Sequence, residues 1–135
     1  MEKIRRILIL PDLQVPYHDD QTLKVVEKYI ADNRWDEVIY LGDFLDFDQI
    51  SKFNKEALRK VEGKRILHDY EVGNEILDRH QKLFKKAKVT LLEGNHEERM
   101  ERYIDANPNL EGLLEVEIGL KLKQRKVNWV RSWSK

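Results

Sequence analysis

At 135 residues, 41% apolar and 37% charged, the chain has the composition of one soluble globular domain, long enough to bury a core. Its 25 Lys and Arg balance 25 Asp and Glu, which argues against gripping nucleic acid by bulk positive charge and leaves no strong nucleic-acid signal. With no cysteine for a disulfide framework, no apolar run of membrane-spanning length and no apolar signal segment at the start, a cytoplasmic protein without a membrane partner is expected.

Ile4 to Leu10 is rich in Ile and Leu, stops at Pro11 and reads as a buried strand. Asp12 to Asp20 is loop, with Pro16 as a breaker and Asp19 or Asp20 as a helix N-cap. From Gln21 to Ala31, Leu23, Val26 and Ile30 recur at helical spacing. Val38 to Leu41 is a second strand ending at Gly42, and a short helix is expected around Asp48 to Phe53. Ile66, Tyr70, Gly73, Leu77 and Phe84 share one face of a long helix from about Arg65 to Lys86. Lys88 to Leu92 is a third strand, followed by a helix from about Glu97 to Ala106 that Asn107-Pro108 ends. Leu110 to Leu122 is expected to be helical in pieces, broken at Gly112 and Gly119, before a short fourth strand over Val127 to Val130. No repeat or interdomain linker interrupts this order, so residues 1–135 form a single domain.

Alternating strands and helices imply βαβ crossovers and hence an α/β fold, a mostly parallel sheet flanked by helices. Ligands in such sheets bind beyond the carboxyl ends of the strands. Three polar motifs lie there: Asp12-Leu13-Gln14, Gly42-Asp43-Phe44-Leu45-Asp46 and Gly94-Asn95-His96-Glu97. Asp12 and Asp43 would emerge on the same edge, and two carboxylates that close repel unless a proton or cation intervenes. Gln14 and Asn95 add neutral carbonyl oxygens. An oxygen-weighted set favours divalent ions such as Mn²⁺ or Mg²⁺, and imidazole nitrogen brings in Fe or Zn. A bound cation would also supply the local positive charge that a phosphate substrate needs.

Each residue also has a plainer reading. A single Asp after a strand is often a helix cap or turn former, and Asn95 after Gly94 suits a left-handed turn. Asp46 and Asp48 read as turn, cap or supporting residues. His96 alone would be a surface histidine, and His18, His68 and His80 read as surface or helix-face residues. The combination carries the metal reading, because three independent turn explanations would have to hold at three strand ends. A nucleotide-binding α/β domain has little support, since neither Gly-x-Gly-x-x-Gly nor a P-loop Gly-Lys-Ser/Thr occurs.

Asp-x-His, Gly-Asp-x-x-Asp and Gly-Asn-His-Asp/Glu, in this order on a βαβ framework, mark the calcineurin-like metallophosphoesterases, and the three motifs resemble that set. The flanks LPDLQVPYHD and EGNHEERMERYI are similar to the phage-type members. The resemblance implies the first half of a four-layer α/β/β/α fold and a metal-dependent phosphoesterase acting on a phosphomonoester or phosphodiester. Asp12 would ligate a first metal, Asp43 would bridge two, and Asn95 would ligate the second. His96 would sit against the substrate phosphate, with Glu97 orienting its ring and Asp46 in support. The implied reaction is in-line attack by a metal-bound hydroxide at a two-metal site.

The chain departs from the family pattern at two places. Gln14 stands where the family has a metal-binding His, and amide oxygen is the weaker ligand. No histidine follows His96, so the downstream Gly-His-x-His motif is missing. The resemblance thus spans nearly all of this chain and about the first half of the family's domain. A chain ending near Lys135 would leave one sheet face uncovered, with Trp129, Val130 and Trp133 on an unpaired edge. A homo-oligomer through the C-terminal segment, or a fragment of a longer protein, is therefore expected. The alternative function is an inactive remnant that works as a self-associating or partner-binding module. Tyr17, His18 and Arg99 lie near the motifs in sequence as candidate substrate contacts.

Overall fold

The computed structural model describes residues 2–61 and 63–131. Its strands are β1 (Ile7–Leu10), β2 (Glu37–Tyr40), β3 (Lys88–Leu92) and β4 (Asn128–Val130), and its α-helices are α1 (Asp20–Ala31), α2 (Ile66–Phe84), α3 (Asn95–Ala106) and α4 (Val116–Gly119). The sheet order is β1-β2-β3-β4, and all three pairings are parallel. No helix among the described residues is long and apolar enough to cross a membrane.

Parallel neighbours in sequence order need a crossover at every step. Crossovers of one hand, running one way along the sheet, place their helices on the same face. Side-chain alternation shows the result. Leu8, Leu10, Val38, Tyr40, Val89 and Leu91 point to one face and are buried with Leu23 and Ile30 of α1 and Tyr70, Ile76, Leu77 and Phe84 of α2. On the other face Ile7 is 43% and Ile9 53% exposed, and Val130 at the far edge is 40% exposed. The expected strand from Ile4 to Leu10 is therefore shorter than its apolar run, and it is buried on one side only. Among the described residues this face is open at β1 and at Val130, while Thr90 between them is buried. Trp129 and Val130 lie on edge strand β4, while Trp133 falls outside the described residues.

Local chemistry sets the element ends. Asp19 caps α1, its carboxylate accepting the Thr22 N–H at 2.6 Å. The expected helix around Asp48 to Phe53 is instead two 3-10 turns, Asp48–Ile50 and Lys52–Asn54. Arg125 fastens the C-terminal segment to α2, donating to Asp78 at 2.7 Å, Gln81 at 2.9 Å and Asn74 at 2.8 Å. This clamp carries the chain into β4.

His80 is a correction to the surface reading. Its side chain is fully buried. The Tyr40 hydroxyl donates to Nδ1 at 2.7 Å, and Nε2–H donates to Glu27 Oε1 at 3.0 Å. His80 follows Gly73 and Leu77 at helical spacing on the buried stripe of α2, so it is a core residue with both ring nitrogens paired.

Candidate active site

The three strand-end motifs converge. The first two are stitched through their backbones: Gln14 N–H donates to Asp43 O at 2.9 Å, Val15 N–H to Phe44 O at 2.8 Å, and Asp46 N–H to Val15 O at 2.9 Å. The third joins through a side chain, with Asp43 Oδ1 accepting the backbone N–H of His96 at 2.9 Å. Asp43 is thus the common partner of the other two motifs.

The backbone is strained where the candidate ligands sit. Asp12, Gln14 and Asp43 have φ of 49°, 50° and 52°, and Phe47 has 54°. Asp tolerates the left-handed region, whereas Gln and Phe seldom enter it. Such conformations cost of order 1–3 kcal/mol each and persist only where their surroundings impose them, commonly at functional sites.

Gly42 and Gly94 are required by contact. A Cβ on Gly94 would lie 2.3 Å from Asp43 Oδ1 and 2.4 Å from Asp43 N, and one on Gly42 would lie 3.0 Å from Gly94 Cα. The second and third loops therefore touch backbone to backbone. That proximity lets a side chain of one loop serve the main chain of the other.

Glu97 is that side chain, and its role differs from the expected one. It is fully buried. One carboxylate oxygen accepts from Asp43 N at 3.0 Å and Gly94 N at 3.1 Å, and the other from Phe44 N at 2.7 Å and Leu45 N at 3.1 Å. Both oxygens are used, so Glu97 clasps the Asp43 loop and does not orient the His96 ring. Burial pushes its carboxyl up to about 7, while the N–H donors of Leu45 and Gly94 pull it down.

Asp46 holds His96 instead. His96 Nδ1–H donates to the Asp46 carbonyl oxygen at 2.8 Å, with the Asp46 carboxylate 3.5 Å away. Arg99 Nη1 donates to the same carbonyl at 2.8 Å. A donating Nδ1 leaves Nε2 as the ring nitrogen available to a substrate. Burial raises the Asp46 carboxyl, and the nearby His96 charge works against it.

Asn95 and His96 are the first two residues of α3, with Gly94 as N-cap, so Asn95 is helical and not the left-handed turn residue of its plainer reading. Asn95 and Asp12 are exposed, and Gln14 and Asp43 are half-buried. Two carboxylates and two amide oxygens therefore stand at adjoining strand ends. Among the described residues no group of three or more His, Cys, Asp and Glu side chains could hold a metal ion. The candidate donors are half amide, so they suit a hard, hydrated divalent cation and lack the nitrogen that favours Zn or Fe.

The other candidates separate. Tyr17 donates to Asp48 Oδ1 at 2.8 Å, and Lys64 pairs with Asp48 and lies 4.9 Å above the Tyr17 ring, so Tyr17 braces the first loop against the 3-10 segment. His18 pairs with Asp20 Oδ1 at 3.0 Å at the entry to α1. Arg99 is the one of the three that reaches His96's support. The reading of the motifs missed a groove of about 610 Å³ beside His96, lined by Lys52, Phe53, Lys55, Arg99, Arg102 and Tyr103. The spacing of His96, Arg99 and Tyr103, three and seven residues along one helix, marks a shared face and was the available signal.

A family model described as calcineurin-like phosphoesterase matches residues 5–133. The chain is 31% identical over 100 residues to the Gene 54 protein of Mycobacterium phage L5, and 30% identical over 100 residues to the Gene 54 protein of Mycobacterium phage D29. Each match covers 74% of this chain and 39% of the relative. No solved structure gives a significant match.

Proposed function

This chain belongs to the calcineurin-like phosphoesterase family, and from that premise we propose that it is a metal-dependent phosphoesterase, cleaving a phosphomonoester or phosphodiester at the three strand-end loops. The observation that carries this reading is the position of Asp43. Its main chain receives Gln14 and its carboxylate receives His96, so one residue gathers all three motifs.

Asp12, Gln14, Asp43 and Asn95 would hold the divalent cations, with Mn²⁺ or Mg²⁺ suiting their oxygens and Fe or Zn the family's alternatives. A cation bound there supplies Lewis acidity and positive charge to the phosphoryl oxygens. His96 presents Nε2 to the phosphate, where it stabilises charge or protonates the leaving oxygen. Asp46 positions that ring through its carbonyl, and Glu97 maintains the loop that carries Asp43.

Hydrolysis of 4-nitrophenyl phosphate and its bis ester, measured with added Mn²⁺, tests the proposal. Metal-dependent turnover that Asp43→Asn removes is the expected result. Turnover no greater than that of the Asp43→Asn control would defeat it for this chain.

A second reading rests on the open sheet face, where Ile7, Ile9 and Val130 are exposed. The chain spans 39% of the length of its phage relatives, and its formal net charge is zero, so no long-range repulsion keeps copies apart. On this reading two copies pack these faces together, and the chain works as a self-associating module. Light scattering would then report a dimer or larger assembly that Ile9→Lys dissolves; a monomer at micromolar concentration would end the idea.

A further inference from the structure

Net neutrality conceals a segregation of charge. Residues 52–65 contain six basic and two acidic residues. The groove next to His96 takes Lys52 and Lys55 from this segment, and Arg99 and Arg102 from α3. Arg102 pairs with Glu98 at 3.2 Å, and Arg99 is spent partly on Asp46, so the two lysines are the groove's most available cations. Aromatic surface accompanies the charge. Phe53 is 77% exposed with Lys52 Nζ 5.2 Å from its ring centre, and Tyr103 lines the same groove.

A large aromatic side chain left in water forgoes the stabilisation of burial, and among the described residues Phe53 stays 77% exposed. Lysines flanking an exposed ring match a ligand that alternates phosphates with planar bases. A phosphoserine or phosphothreonine peptide offers the charge without a ring at each phosphate. We propose that this groove seats the strand flanking the scissile phosphate of a single-stranded nucleic acid, with Lys52 and Lys55 on backbone phosphates and Phe53 stacked on a base. The inference rests on the phosphoesterase reading for the position of the scissile phosphate, and on the groove alone for binding.

Binding can be measured apart from catalysis. The probe is a fluorescein-labelled twelve-residue oligothymidylate, followed by anisotropy in EDTA across a salt series. Wild-type protein should bind, with affinity falling as salt rises. Replacing both Lys52 and Lys55 by Ala should make the log–log salt slope shallower by about 1.4, because each single-strand phosphate contact contributes about 0.7. Phe53→Ala should weaken binding roughly 5- to 100-fold. Replacing Lys24 and Lys28 on α1 by Ala, a change of equal charge away from the groove, should leave the slope unaltered. Absence of binding at low salt, an equal slope change in the α1 variant, or tighter binding of a phosphopeptide of matching charge would each overturn the inference. Hydrolysis of aryl phosphates by a protein that ignores the oligonucleotide would defeat this inference and spare the phosphoesterase reading. Binding without hydrolysis would do the reverse.

Discussion

Glu97 accepts the backbone N–H of Asp43 at 3.0 Å, although the two residues are 54 positions apart in the chain. The same carboxylate takes the N–H groups of Phe44, Leu45 and Gly94. One buried side chain thus sets the loop that presents Asp43, the residue on which the other two motifs converge. An acceptor-only group suits this position, because every neighbour it meets is a donor.

Glu97→Gln should accordingly destabilise the fold while preserving size. The amide turns an NH₂ toward N–H donors and leaves them unpaired, for an expected loss of about 1–3 kcal/mol near pH 8.5, above the raised Glu97 value, where the wild-type carboxylate is ionised. Urea unfolding measures it. A change below ~0.5 kcal/mol would show that the clasp contributes little.

His96→Ala should lower kcat by about 10²- to 10⁴-fold, the range for losing a positioned acid or charge stabiliser, with Mn²⁺ affinity unchanged. Steady-state kinetics and a Mn²⁺ titration read the two quantities separately. An affinity that falls together with kcat would make His96 a ligand and refute the role assigned through its Asp46 contact.

Asp69 supplies a pH test. Burial pushes its carboxyl up to about 6, with the Asp48 and Asp46 charges adding to the rise and the Gln49 hydrogen bond opposing it. Its folded value exceeds the unfolded value of 3.8, so the folded state holds the extra proton between these limits. Stability is therefore lost as pH rises from about 4 to 6, and the full penalty stands above that. Asp69→Asn should be more stable than wild type at pH 7 by about 1–2 kcal/mol, allowing for solvent screening, and equal to it near pH 3.5. A difference that does not vary with pH would contradict this.

Sequence pattern located the parts whose causes are local. β3 falls on Lys88–Leu92 as its apolar run indicates, and Asp19 caps α1 as its position before the helical stripe indicates. The three motifs were legible because they sit where apolar runs stop. The clasp by Glu97 was not, since it depends on Gly42 and Gly94 meeting in space. His80 was misread because Asp78 and Arg79 beside it suggest a solvated face, and only the Tyr40 hydroxyl and Glu27 show how a polar ring is satisfied in the core. Residues 48–64 carry no sustained period, so neither their 3-10 turns nor the groove they form with α3 could be read from spacing alone.

The claim that Asp12, Asp43 and Asn95 form a metal site is tested most directly by anomalous diffraction from a crystal of this protein soaked in Mn²⁺. The account predicts an anomalous peak within coordination distance, about 2.0–2.6 Å, of Asp43 and Asp12 oxygens, and no such peak in Asp43→Asn. A map with no peak at these loops, or with Mn²⁺ bound only elsewhere, would contradict it.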